Sequence, residues 1–326
     1  MAEEKYWMNQ RRLRANDHIR DISAQVTLSH KEFIQPIFVD ESLSARAEVP
    51  FLTGVYSETI STIVEQVGAD IKNGISKFLL FPVPKTKTEH NFDFSFAERV
   101  VRELKSRFGT EIWLACDLCL CSYTAHGHCG LVNAQGTQLL NHETACVLSQ
   151  YALQLAEAGA DCIAPSDMTD GRVKAIREIL NQHGFEEAAI MSYASKFSSS
   201  FYGPFRDVCK SSPSTAIKLS GRNTYQIDSR NMKDAVASSI RDIEEGADLV
   251  MVKPCMPYLD VVKELSTLSK PLVVYQVSGE YAAIELLAKN ELTNREQAHI
   301  ESWIAAKRAG ANAIISYAAR NAKEWI

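Results

Sequence analysis

Cys119 and Cys121 stand two residues apart, and Cys129 follows eight later, inside the run Cys116-Asp117-Leu118-Cys119-Leu120-Cys121-Ser122-Tyr123-Thr124-Ala125-His126-Gly127-His128-Cys129-Gly130. This stretch holds four of the chain's eight cysteines, two histidines and a carboxylate, directly behind the apolar Ile112-Trp113-Leu114-Ala115. In extended chain, residues two apart face the same side. Cys119 and Cys121 can therefore offer both thiolates to one point, and Cys129 can fold back through Gly127 and Gly130. Three thiolates suit zinc, and three protein ligands rather than four leave a position for water or substrate. The competing reading is of small buried hydrophobes, because free cysteine is among the most buried residue types. A second competitor is a closed four-ligand site in a zinc-stabilised scaffold, with Cys116 or His128 as the fourth ligand. Ferredoxin-like spacing is absent from the run, which argues against an iron–sulfur cluster.

Two lysines offer complementary chemistry. Lys196 lies in Met191-Ser192-Tyr193-Ala194-Ser195-Lys196-Phe197, and Lys253 closes Asp248-Leu249-Val250-Met251-Val252-Lys253. A lysine at the end of an apolar strand has little water around it, so its charged form is disfavoured and its pKa falls. The free amine can then attack a ketone to form a Schiff base. The alternative is an ordinary lysine whose stem packs while its ammonium reaches the rim. A metal-independent Schiff-base aldolase would explain Lys253 but leave the three cysteines idle.

These groups need a scaffold, and a recurring pattern supplies one. Ala158-Gly159-Ala160-Asp161, Glu245-Gly246-Ala247-Asp248 and Ala309-Gly310-Ala311-Asn312 each precede a short apolar run, and Asn73-Gly74-Ile75-Ser76 is a weaker copy. A helix that stops at glycine, followed by a continuous apolar strand buried on both faces, is the signature of a β/α repeat. Further apolar runs at 33–39, 112–117, 189–193 and 271–277 bring the expected strands to eight. Phe96, Val100 and Leu104, and again Leu148, Tyr151 and Leu155, recur at helical spacing. Eight such units predict an α/β fold, a (β/α)8 TIM barrel. No Gly-x-Gly-x-x-Gly follows the first strand, which disfavours an open dinucleotide-binding sheet. A barrel keeps its chemistry at the C-terminal ends of its strands. Asp117 and Cys119, Ser166 and Asp167, Lys196, Lys253, Ser278 and Glu280, and Tyr317 all fall there.

Residues 1–30 precede the first strand as an N-terminal arm carrying Tyr6, Trp7 and basic residues, and are expected to lie on a neighbouring subunit. Residues 31–326 form the catalytic barrel. Its irregular stretch 197–232, rich in Ser, Gly and Pro, is expected to be an active-site lid. There Arg206, Arg222, Tyr202 and Tyr225 could clamp a carboxylate.

The formal net charge of −5 leaves no electrostatic footprint for nucleic acid. No run approaches the roughly 18 apolar residues of a membrane span. The first residues do not read as a signal peptide, so the eight cysteines read as reduced thiols and the expected location is cytoplasmic.

On Asp117-Leu118-Cys119-Leu120-Cys121 through Gly130, Ala164-Pro165-Ser166-Asp167-Met168, Ser195-Lys196-Phe197, Phe201 through Asp207, Met251 through Asp260 and Tyr275-Gln276-Val277-Ser278-Gly279-Glu280-Tyr281, the chain resembles the zinc-dependent porphobilinogen synthases, or 5-aminolevulinate dehydratases. The match extends from the arginines at 11–14 to Tyr317. The resemblance implies a hydro-lyase of tetrapyrrole (heme) biosynthesis that condenses two 5-aminolevulinate molecules to porphobilinogen with loss of two waters. By position, it makes Lys253 the Schiff-base residue of the P-side substrate and Lys196 that of the A-side substrate. It gives one catalytic Zn2+ per subunit to Cys119, Cys121 and Cys129, and places Asp117 and Ser166 beside the reacting amino groups. Ser278 and Tyr317 would hold the P-side carboxylate, and Arg206, Arg222 and Gln226 the A-side one. Tyr202, Phe205 and Tyr275 join them as substrate-binding residues. Homo-octamer assembly through the arm is implied as well. Gly221 departs from the Asp that commonly precedes the lid arginine, which implies looser lid anchoring. Ser238 stands where members with an outer allosteric Mg2+ carry Glu, which speaks against that ion here.

Overall fold

The structure, a computed structural model, describes residues 10–214, 217–219 and 221–326. The eight apolar runs are strands: β1 (Phe33–Asp40), β4 (Lys77–Val83), β5 (Trp113–Leu118), β6 (Cys162–Pro165), β7 (Ala189–Lys196), β8 (Leu249–Lys253), β9 (Leu272–Tyr275) and β10 (Ala313–Ile315). Two short strands, β2 (Ala47–Glu48) and β3 (Tyr56–Glu58), sit at the edge of β1. Neighbouring barrel strands are parallel, and β10 pairs with β1 through Phe33–Ile314 and Ile34–Ile315, which closes the sheet on itself. The fold is the expected (β/α)8 barrel. β1 is buried along its whole length, as a strand covered on both faces requires.

The helices are α1 (Asp17–Ser23), α2 (Ile60–Lys72), α3 (Ser95–Phe108), α4 (Asn141–Ala158), α5 (Arg172–Gln182), α6 (Gly203–Val208), α7 (Met232–Glu244), α8 (Leu259–Leu265), α9 (Ser278–Lys289), α10 (Arg295–Ala309) and α11 (Ala322–Trp325). Both sequence-read helical faces point inward: Phe96, Val100 and Leu104 of α3, and Leu148, Tyr151 and Leu155 of α4, are buried. The repeated glycines 74, 159, 246 and 310 all adopt positive φ just past a helix.

Of the arm, a 3-10 turn (Gln10–Arg14) and α1 are described, and neither contains a buried residue. Ile22 is 79% exposed. Tyr6 and Trp7 lie outside the described residues.

Behind the strand ends, Arg172 of α5 is fully buried between two carboxylates. Its Nη2 lies 3.0 Å from Asp242 of α7, and its Nε 3.4 Å from Asp167, which follows β6. Arg172 Nη2 also donates to the Ser192 hydroxyl of β7 at 3.0 Å, and that hydroxyl donates to Asp242. Removing one member of a buried charge set leaves the others unpaired, at about 3–5 kcal/mol. We expect Asp242→Ala to lower unfolding free energy by about that amount in urea titration. The buried Arg172 charge is then the cause.

Candidate active site

β7 and β8 end side by side, and their register places Lys196 opposite Lys253. Sequence reading ends the strand at Tyr193; in the structure β7 runs three residues further and Lys196 is its last residue. Between the pairs Ser192–Val250 and Ser195–Val252, β7 carries one residue more than β8. Past this bulge, regular pairing resumes and reaches the two lysines. Both are buried, at 5% and 3% exposure. Tyr193, inside the bulge, lies under both: the Lys196 and Lys253 Nζ atoms stand 5.5 and 5.1 Å from its ring centroid.

Lys253 is enclosed by further rings, Tyr275 at 4.1 Å, Phe205 at 4.6 Å and Tyr202 at 5.5 Å. Burial, and then the neighbouring Lys196 ammonium, lower the Lys253 pKa to about 7. Against an ordinary lysine, that raises the free-amine fraction at neutral pH about a thousandfold. Lys196 donates to the Ser166 carbonyl.

Asp117, near the end of β5, retains some accessible surface, while its Oδ1 is buried and lacks a hydrogen-bond partner. Burial raises its pKa, and the charges of Lys196 and Lys253 oppose that rise. A carboxyl in this setting can hold or release a proton near two amines. The Tyr193 phenol is pushed well above its ordinary range by burial and by Asp117, which keeps it protonated.

The three cysteines converge. Cys119, Cys121 and Cys129 are buried, with their Sγ atoms all within 4.8 Å of one another. The Cys121 backbone N–H donates to Cys119 Sγ at 3.4 Å. The neighbouring Cys119 and Cys121 side chains hold the Cys129 thiol well below the ordinary range against its burial, with Arg222 assisting. A buried trio of soft donors fits a thiophilic divalent ion. Cys116 and the histidines are elsewhere engaged. Cys116 is a core residue. His128 donates from Nε2 to the Leu219 carbonyl at 2.8 Å, which leaves Nδ1 to accept from the Tyr225 hydroxyl at 3.1 Å.

The stretch between β7 and α7 is rooted by the pairing of Phe197 with Ile227. It is not wholly irregular: residues 200–202 form a 3-10 turn that runs into α6. It lies on the cysteine loop. Arg222 donates to the carbonyls of Gly127 at 2.9 Å and Ser211 at 2.6 Å. Burial opposes the Arg222 charge, but the Cys129 and Cys121 thiols beside it favour it and raise its pKa. Gln226 is 3% exposed, and neither polar atom of its side chain has a partner. Arg206 and Arg222 each bury an unpartnered Nε. Buried polar groups are normally satisfied, and three residues with unpartnered buried atoms gather on this one stretch. A neighbouring cavity of about 600 Å³ is lined by Asp167, Tyr225 and Gln226 among the candidate residues.

On the opposite side, Ser278 opens α9. Its hydroxyl accepts from the Phe205 N–H at 3.1 Å and donates to the Phe201 carbonyl at 3.3 Å. Gly279 makes this approach possible, because a Cβ there would lie 2.7 Å from the Phe201 oxygen. The Tyr275 hydroxyl donates to Tyr317 at 3.3 Å. Tyr202 donates to the Phe197 carbonyl at 2.8 Å and the Lys253 carbonyl at 3.0 Å, so its hydroxyl fixes backbone. The site-forming role of Tyr193 is not marked in the sequence, where it reads as one more apolar residue of a core strand.

A closed barrel whose strand ends gather two buried amines, a carboxylate and three thiols defines a lysine-bearing (β/α)8 enzyme. The chain belongs to the family described as Delta-aminolevulinic acid dehydratase, whose model matches residues 8–325. It is 39% identical over 321 residues to the delta-aminolevulinic acid dehydratase of Bacillus subtilis, covering 97% of each chain. It is 41% identical over 316 residues to that of Helicobacter pylori, covering 95% of this chain and 96% of the relative. The crystal structure of the Toxoplasma gondii enzyme, a delta-aminolevulinic acid dehydratase (porphobilinogen synthase) in complex with the reaction product porphobilinogen, superposes with a TM-score of 0.91. The two are 33% identical, and the match covers 98% of this chain and 91% of that one.

Proposed function

We propose that the protein is a porphobilinogen synthase that condenses two molecules of 5-aminolevulinate to porphobilinogen and two waters. The observation that carries the reading is the register pairing of Lys196 with Lys253, since two keto acids call for two amine nucleophiles. Lys253 attacks the ketone of the P-side substrate and Lys196 that of the A-side substrate, each imine forming with loss of one water. Formation of the ring C–C and C–N bonds then releases both lysines as free amines. Asp117 takes up and returns protons between the amino groups, with Ser166 beside it. Ser278 and Tyr317 receive the P-side carboxylate; Arg206, Arg222 and Gln226 receive the A-side one. Phe205, Tyr202 and Tyr275 keep water from the iminium at Lys253.

Cys119, Cys121 and Cys129 would hold one zinc ion. When bound, zinc supplies Lewis acidity that favours a substrate amine in its unprotonated, nucleophilic form. The described part of the arm, whose two short helical elements bury no residue, supports assembly through residues 1–30, with an octamer as the expected form. Among the described residues no helix is long and apolar enough to cross a membrane, which accords with a cytoplasmic enzyme of heme biosynthesis. Ser238 argues against an outer magnesium site.

Borohydride reduction in the presence of 5-aminolevulinate, followed by peptide mapping, tests the reading. Adducts are expected on Lys253 and Lys196. Product formation with neither lysine modified at saturating substrate would refute the mechanism.

A further inference from the structure

Glu280 takes no part in the scheme above, yet its carboxylate lies at the centre of the loops that carry it. It is the third residue of α9 and 5% exposed. Its Oε2 accepts the Val277 N–H at 2.6 Å, an ordinary reach back to the start of its own helix. The same carboxylate also crosses to the next loop of the barrel, accepting the N–H groups of Cys255 at 3.3 Å and of Met256. It therefore clamps the loop after β8 to the loop after β9. Despite three donors, burial raises its pKa to about 7, so capping the helix alone is a poor reason to place a carboxylate there.

The clamped loops carry the two ends of one substrate site. Lys253 precedes Cys255 by two residues, and Ser278 precedes Glu280 by two. On its other side, the Lys253 carbonyl is held by the Phe197 N–H at 2.9 Å and the Tyr202 hydroxyl. Glu280 supplies the restraint from the side of Ser278. We infer that Glu280 is a positioning residue that fixes the separation between the Lys253 amine and the Ser278 hydroxyl, and so sets the chain length of keto acid accepted at the P-side. This rests on the assignment of Lys253 and Ser278 to that substrate. Without the clamp the two loops move apart independently, and discrimination between adjacent homologues is lost before amine reactivity is.

The test uses the full-length enzyme and two variants, Glu280→Gln and Glu280→Asp. Gln keeps the shape but has only one accepting oxygen; Asp keeps the charge but falls short of the β8 loop. The probes are 4-oxopentanoate and 5-oxohexanoate, trapped on Lys253 with borohydride and compared by half-saturating concentration, with kcat and KM for 5-aminolevulinate measured alongside. The unaltered enzyme is expected to prefer the shorter acid by about tenfold or more, the usual worth of one methylene in a fitted pocket. Both variants should bring that preference to within about threefold. KM should rise more than kcat falls, with trapping still complete at saturation. Unchanged preference in folded variants overturns the inference, and so does loss of folding in both, which would assign Glu280 to stability. Failure of the unaltered enzyme to be trapped on Lys253 by either acid would instead remove the underlying assignment.

Discussion

Replacing Lys253 by alanine is expected to lower turnover by at least ~10⁴-fold, on the scale seen when an enzyme loses its nucleophile, while leaving the barrel folded. The side chain is buried among Tyr275, Phe205, Tyr193 and Tyr202, and its pKa is lowered to about 7 by burial and Lys196. The sign of the pH dependence follows. Above about 7 the amine is mostly free; below it, the free fraction falls tenfold per pH unit. Trapping of a keto acid on Lys253 at subsaturating concentration should therefore rise with pH and level off above that value. A trapping rate still climbing at pH 9 would mean an ordinary lysine. Lys253→Ala should show no adduct at position 253, with a melting temperature near that of the unaltered enzyme. Near-normal turnover in this variant would remove Lys253 from the chemistry.

The second large effect concerns the thiols. Cys129→Ser is expected to reduce bound zinc from about one ion per chain to under about a tenth, because three ligands leave no spare donor. Turnover should fall ~10²–10³-fold, the equivalent of several kcal/mol of lost Lewis-acid stabilisation. Metal content by elemental analysis gives a readout independent of activity. The three Sγ atoms share one buried site, so Cys119→Ser and Cys121→Ser should behave alike. A Cys129→Ser protein that retains stoichiometric zinc would show that the ion sits elsewhere. Full activity without zinc would instead favour the metal-independent aldolase-type reading.

Most of the barrel is legible in the chain because strands buried on both faces leave continuous apolar runs, and glycine marks the helix end before several of them. Lys253 sits at the end of such a run and can be placed by counting. Lys196 is harder to place. The extra residue in β7 disturbs the alternation, so sequence reading ends the strand at Tyr193 and puts the lysine beyond it. Tyr193 is hidden for a related reason, since an aromatic in an apolar strand looks like core packing until a structure places amines over its ring. Gly203-Pro204 lies in the stretch 197–232, which its Ser, Gly and Pro content makes read as irregular. Proline in the first turn of a helix lacks only an N–H that has no intrahelical partner there, and α6 is too short to show a period. The partners of Arg222 are backbone carbonyls, which carry no residue-type signal. The convergence of the three cysteines was readable because the two-residue spacing and flanking glycines restrict how the loop can turn.

The bulge in β7 has a genetic implication. Tyr193 and Ala194 together stand against the single Met251 of β8, and regular pairing resumes at Ser195–Val252 and Lys196–Lys253. Losing one of those two codons would close the bulge and still leave the lysine opposite Lys253 and on the same face. The pair of amines thus tolerates a one-codon deletion there, and the side chain at risk is the Tyr193 ring that lies under both of them.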